Sequence, residues 1–238
     1  MAKPRRIPDW ETLLAHAADL QTKVPGAVLV GGTAAALHAR HRFSADHDHV
    51  VPDLARIYDH AVAALESTVG WRTRRRVRGK MLLGEAQGIE GGLRNLRRSA
   101  PLETVLLRLS GGRRVRVPTV EEMLRVKAFL TVERNATRDY LDVAALSHHL
   151  RLRKAARALE PMNVLYADFA GEGGDMLTSL LVKLARPDPY DLTDIDLAEY
   201  KGIIAPWNDW RAVEKQCHAL AVALLTPPAS RAAAAGKR

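Results

Sequence analysis

The stretch AVLVGGTAAALHARHRFSADHDHVV, residues 27–51, limits what this chain can fold into more than any other. An apolar run (27–30) ends at Gly31-Gly32, the small-residue segment TAAALHAR (33–40) reads as a helix, and DHDHVV (46–51) alternates as a strand stopped by Pro52. A glycine pair between a strand and a helix N-terminus lets backbone N–H groups approach a phosphate closely, and the helix dipole favours the anion there. Thr33 can add a hydroxyl at the same place. On the second strand, residues two apart share a face, so Asp46 and Asp48 project together while His47 and His49 point the other way. Two carboxylates within about 6 Å repel unless a divalent cation lies between them. Oxygen ligands presented in a pair suit Mg²⁺ or Mn²⁺, ions that also bind substrate phosphates. Alone, the aspartates could face water and the glycines could form a plain tight turn. Strand, glycine pair, helix and acidic strand in series, with Gly32 and Asp46 14 residues apart, is a much less accidental arrangement.

The flanking sequence places this unit in a mixed sheet. Asp9 can cap a first helix from Trp10 to about Lys23, with Leu13, Leu14, Ala17 and Leu20 on one face, broken by Pro25-Gly26. A helix over 53–66 follows the acidic strand. Strand-like runs then come at 71–79, 80–85, 102–109 and 113–118, with Gly84, Gly88, Gly91-Gly92 and Gly111-Gly112 read as turns between or beside them. Thr119 and Glu122 form a capping box that opens VEEMLRVKAFLTVER, and RDYLDVAALSHHL continues or restarts that helix after Asn135. The pattern beyond 151 is helical, at 152–169, 175–186, 194–204 and 208–225. The fold class is therefore α+β: a mixed sheet with flanking helices, followed by an all-helical C-terminal portion.

The formal charge of +9 is not spread evenly. Residues 71–116 hold twelve Arg and one Lys against three Glu, a net of +10, so the rest of the chain is close to neutral. Neutralising phosphates releases condensed counterions, so a concentrated basic patch suits a nucleic-acid backbone; a solvated surface or an acidic protein partner is the plainer reading. Arg74, Arg76, Arg78, Lys80, Arg97 and Arg98 are the candidate RNA-binding residues within it.

LVGGTAAALHARHRFSADHDH resembles the glycine-pair and paired-acid signature of the polymerase-beta nucleotidyltransferase superfamily. The form GGT…H…R.S.D.D is most similar to the AbiEii/AbiGii-type toxin family, and RVPTVEEMLRVKAFLTVERNATRDYLDVAAL resembles that family's later block. The matches cover residues 27–150. The expected domains are a nucleotidyltransferase domain over 1–118 that includes the N-terminal helix and a helical C-terminal domain over 119–226, and PPASRAAAAGKR reads as a disordered tail over 227–238. The resemblance implies that Gly31, Gly32 and Thr33 hold the triphosphate of an NTP, with Ser44 as a nearby hydroxyl. Asp46 and Asp48 would bind Mg²⁺, Lys127 would contact triphosphate, and Asp139 or Asp142 would be the later essential acid. On an unbroken helix Lys127, Arg134 and Arg138 fall within about 40° and form one cationic stripe; an interruption at Asn135-Ala136-Thr137 would end it at Arg134, and a solvated face with an Arg138–Asp142 pair is the bland alternative. Superfamily members add a third carboxylate from a neighbouring strand, for which Glu103 is the first choice and Glu90 the second.

By the same resemblance the chain transfers nucleotides from NTP to RNA, with the 3′ end of tRNA as substrate, and works in a toxin–antitoxin or phage-defence pair with a cognate antitoxin as partner. Rival readings are a catalytically silent RNA- or partner-binding module and an enzyme modifying a protein or an antibiotic. His38, His41, His47 and His49 are dense enough to suggest zinc but lack a spaced partner set. Trp207 and Trp210 could stack a base, although such residues more often anchor a helix to the core. One cysteine, Cys217, no long apolar run and no secretory leader pattern give the expectation of a cytoplasmic protein with no membrane contact.

Overall fold

The computed structural model describes residues 9–168 and 174–226; the expected tail over 227–238 lies outside them. Helix α1 (Trp10–Lys23) is capped by Asp9, which accepts from the Thr12 amide. Strand β1 (Val28–Leu29) leads into α2 (Gly31–Ala39), and β2 (Asp46–Val51) is followed by α3 (Leu54–Glu66). Strands β3 (Arg72–Val77), β4 (Met81–Ala86) and β5 (Ile89–Asn95) complete a five-stranded sheet in the order β1-β2-β5-β4-β3. Every neighbouring pair is antiparallel except β2 and β5, which run parallel with Asp46 opposite Glu90. Strands β6 (Thr104–Arg108) and β7 (Arg114–Pro118) form a separate two-stranded sheet.

Strand β5 corrects the expectation that Gly91-Gly92 is a turn. The pair sits mid-strand because no side chain fits there: a Cβ on Gly91 would lie 2.2 Å from the His47 ring, and one on Gly92 would lie 2.3 Å from the Leu82 carbonyl. These glycines let the acidic strand and its parallel neighbour pack with a buried histidine between layers.

Helices α4 (Val120–Arg134) and α5 (Thr137–Leu150) are separate, because Asn135 adopts a left-handed conformation and ends α4. The unbroken stripe is thereby excluded. Beyond them come α6 (Leu152–Leu159), the single turn α7 (Met162–Leu165), α8 (Met176–Ala185) and α9 (Trp210–Leu225). Residues 194–204 do not form the expected helix. They make short 3₁₀ turns, and the segment is tied instead to residues 41–43: the Phe43 amide donates to the Lys201 carbonyl and the Ile204 amide to the His41 carbonyl. One core cluster runs from Ala17, Leu29 and Val117 through Met123, Tyr140 and Leu146 to Leu180 and Leu220. A smaller one lies between α3 and the sheet around Leu54, Leu65, Leu82 and Leu93. Among the described residues no helix is long and apolar enough to cross a membrane.

Candidate active site

The Gly31-Gly32 turn packs directly against the acidic strand. Gly31 has φ +73°, a conformation that favours glycine, and a Cβ there would meet the Asp48 β-carbon at 3.3 Å. Gly32 is as tight: a Cβ would lie 2.6 Å from the Arg42 guanidinium and 2.7 Å from the Ser44 hydroxyl. The N-terminus of α2 has no side-chain cap, so its first-turn amides remain for an anion. The Val30 amide donates to the Asp48 carbonyl, which locks this turn to β2.

Asp46 and Asp48 face a cleft of about 680 Å³, a size that suits a nucleotide. Ser44 donates to Asp46 Oδ1 at 2.7 Å. Burial, then the neighbouring Asp46 charge, pushes the Asp48 carboxyl above its usual range, and Arg94, 3.7 Å away, offsets this only in part. Asp48 is thus only partly compensated, and the donors of the pair are hard oxygens at the edge of a cleft. Those properties fit a Mg²⁺-type ion held by Asp46 and Asp48. Among the described residues no group of three or more His, Cys, Asp or Glu side chains is assembled as a metal site.

A second carboxylate pair lies deeper. Asp142 accepts from Arg42 Nε at 2.8 Å and Nη2 at 3.0 Å, pairs with Lys127 Nζ at 2.6 Å and meets His41 Nε2 at 2.7 Å. Burial alone would raise its pKa, but Arg42, Lys127 and His41 hold it well below the usual carboxylate range. Asp139 meets Lys127 at 3.2 Å and Arg134 at 2.9 Å. Both aspartates are fully buried, and neither lines the cleft. They orient Arg42, Lys127 and Arg134, which do line it. Arg138, exposed on the first turn of α5, also lines it, so the tight turn at Asn135 brings together the three cations that an unbroken helix would have aligned. No pair links Arg138 to Asp142, whose oxygens are taken by the groups above.

The fold is shared with a solved protein. The crystal structure of JHP933 from Helicobacter pylori aligns over 92% of this chain and 94% of that one, with TM-score 0.51 and 16% identity. A nucleotidyltransferase-like protein from Paracoccidioides brasiliensis is also among the structural neighbours, aligning over 72% of this chain and 91% of that one at TM-score 0.43 and 16% identity. No protein-family model matches the chain. In sequence, the heme uptake protein MmpL11 of Mycobacterium tuberculosis is 36% identical over 129 residues, 54% of this chain. The chain spans only 13% of the length of that relative.

Several expected site residues lie elsewhere. The Thr33 hydroxyl is buried and donates to the Asp46 carbonyl, so it fastens α2 to β2 and does not face the cleft. Glu103 is outside the cleft and pairs with Arg125 at 3.0 Å, because it directly precedes β6 of the smaller sheet. Glu90 is in the cleft, one strand from Asp46 and in register with it. Of the six expected RNA contacts, Arg74 alone lines the cleft. Arg98 is buried against Glu122 at 2.8 Å and over the Tyr166 ring, a core residue. Arg76, Arg78 and Arg97 pair with Glu66, Asp59 and Glu133, and Lys80 is exposed away from the cleft. Trp207 is buried against His148, and Trp210 packs on Tyr140. His47 and His49 are buried on the far face of β2, His49 with neither ring nitrogen bonded.

The cleft also contains residues that sequence reasoning missed: Arg42, Arg75, Arg94, Tyr200 and Lys201. Arg42 stands two residues before Ser44, within the motif itself, and its place there was the available signal. Tyr200 and Lys201 arrive from a distant loop with no local signal.

Proposed function

We propose that this chain is a divalent-metal-dependent nucleotidyltransferase that moves a nucleotide from an NTP to an RNA hydroxyl, the 3′ end of tRNA being the acceptor. The observation that carries the reading is the contact between the Gly31 turn and Asp48: an uncapped helix N-terminus and an undercompensated acid pair open side by side into one cation-lined cleft. An ion held by Asp46 and Asp48 would supply Lewis-acid stabilisation of the phosphoryl oxygens. The α2 amides and Lys127, Arg42 and Arg134 would bind and orient the triphosphate, with the last three preset by Asp139 and Asp142. Ser44 fixes the Asp46 rotamer. Glu90, in register with Asp46, serves as the third carboxylate and accepts the acceptor hydroxyl's proton. In the transfer a bond forms between that oxygen and the α-phosphorus, the bond to the β-phosphate oxygen breaks, and pyrophosphate leaves.

The acceptor is assigned from charge. Arg74, Arg75, Arg94, Arg138 and Lys201 edge the cleft, which favours a polyanion over a cationic antibiotic. The place of the protein in a toxin–antitoxin or phage-defence pair, with a cognate antitoxin, rests on the motif resemblance alone. Incubating the protein with each α-labelled NTP in turn and total tRNA should label RNA in the presence of Mg²⁺, and Asp46→Ala and Asp48→Ala should abolish both labelling and growth inhibition on expression. Labelling that persists in those variants, or its absence in the wild type with every NTP, would overturn the proposal. The arginines along the cleft, Arg74, Arg75, Arg94 and Arg138, also suit a second reading, a silent RNA-binding module. That module would bind tRNA with a steep salt dependence, without labelling it and without a response to Mg²⁺.

A further inference from the structure

One wall of the cleft comes from far along the chain. Residues 199–201 reach it because two backbone hydrogen bonds, Phe43 amide to Lys201 carbonyl at 2.7 Å and Ile204 amide to His41 carbonyl at 3.0 Å, pin the loop to the segment just before Ser44. Gly202 makes the approach feasible: its φ is +59°, and a Cβ would meet the Phe43 β-carbon at 3.2 Å. Phe43 and Tyr200 are the aromatic side chains among the described residues lining the cleft. Phe43 is committed to packing, edge-on to Trp10 at 5.1 Å and under Lys201 at 5.7 Å. Tyr200 packs in part against the main core cluster and is half-buried. The Arg42 guanidinium lies 5.7 Å from its ring centroid and steadies it, while the ring stays partly exposed at the cleft wall.

Arg42 thus links the buried Asp142 to two parts of the cleft. It forks onto Asp142, crowds Gly32 at the helix N-terminus and holds Tyr200. The Tyr200 ring and the α2 N-terminus line the same cleft, and both neighbour the Arg42 guanidinium. We propose that Tyr200 is the base-binding residue of the nucleotide site, stacking on the nucleobase of the bound NTP. This rests on the nucleotidyltransferase reading and deepens it. Every base offers a π-face, so Tyr200 contributes affinity for nucleobases in general, and the loop 199–201 holds the ring at a fixed distance from the phosphate cradle.

Calorimetric titration in Mg²⁺ of each of the four ribonucleoside triphosphates, and of inorganic tripolyphosphate, into wild type, Tyr200→Ala and Tyr200→Phe tests this. The expected result for Tyr200→Ala is a loss of about 5- to 100-fold in affinity for the best-bound NTP, with tripolyphosphate binding unchanged. Tyr200→Phe, which keeps the ring and its fold contacts, should stay within about twofold of wild type. NTP affinity left intact by Tyr200→Ala, or an equal loss for tripolyphosphate, would overturn the assignment while the nucleotidyltransferase reading stands. A wild type that binds neither NTP nor tripolyphosphate would overturn both.

Discussion

Four aspartates border or underlie the same cleft, and their surroundings are opposite. Asp46 and Asp48 lie at the start of β2 with one arginine at 3.7 Å, and Asp48 is pushed towards its neutral form. Asp139 and Asp142 lie fully buried among Arg42, Lys127, Arg134 and His41, and Asp142 is held ionised. In a low dielectric a carboxylate needs compensation. The deep pair receives it from the protein and so acts as scaffold. The strand pair receives it only in part, from Arg94 and the more distant Lys127 and Arg134. The comparison separates two kinds of acid that look alike in sequence: two pairs of Asp, two and three residues apart, each beside basic residues.

That contrast breaks first at Asp142. Asp142→Ala leaves Arg42, Lys127 and His41 buried without their shared acceptor, and urea denaturation should show a loss of about 3–5 kcal/mol; a variant as stable as wild type would mean that the deep pair is no scaffold. The next effect concerns the other face of β2. Burial, then the His16 charge, lowers the His47 pKa from 6.5 to about 4, and His49 moves the same way. Between those values the unfolded chain binds the proton and the folded one does not. Stability is therefore flat above pH 6.5 and falls as pH drops towards 4, by about 3 kcal/mol for His47 alone. Urea midpoints between pH 7.5 and pH 5 check this, and a stability that rises on acidification in that range contradicts it. Gly91→Ala places a methyl 2.2 Å from the His47 ring and should cost about 1–3 kcal/mol in the same denaturation assay, tilting the strand that bears Asp46 and Asp48. The smallest effect sharpens the comparison most. Asp48→Asn removes an ill-compensated charge, so metal-free stability should hold or rise by at most about 1 kcal/mol, opposite in sign to Asp142→Ala.

Much of the architecture was legible because periodicity and caps coincide along 9–66, where Asp9, the glycine pair, the alternating 46–51 strand and the 54–66 helix follow in order. Strand β5 was not legible, because Gly91-Gly92 carries no side-chain alternation; what requires glycine there is the His47 ring, a contact across strands. The 194–204 segment has apolar spacing that suits a helix, yet its backbone partners lie at 41–43, and nothing local announces them. Within the site, the acid pair and glycines followed from pattern alone. The division of labour between Asp48 and Asp142 did not, because it depends on which cations converge from α2, α4 and α5. Likewise the arginine-rich 71–116 stretch reads as one basic face, whereas Arg72 and Arg74 clamp Glu85, Arg78 holds Asp59 and Arg98 is core. Charged side chains on β3 also protect an edge strand from pairing with another chain, a role independent of any ligand.

On the proposed reading, a divalent ion and a triphosphate complete the partial compensation that Arg94 and its neighbours give the Asp46–Asp48 pair. Titrating NTPs into wild type and Asp48→Asn, each with Mg²⁺ and with chelator, tests it most directly. Chelation should weaken wild-type binding at least about 10-fold, and Asp48→Asn should bind weakly with no response to Mg²⁺. Equal affinity and equal Mg²⁺ response in the two proteins would contradict it.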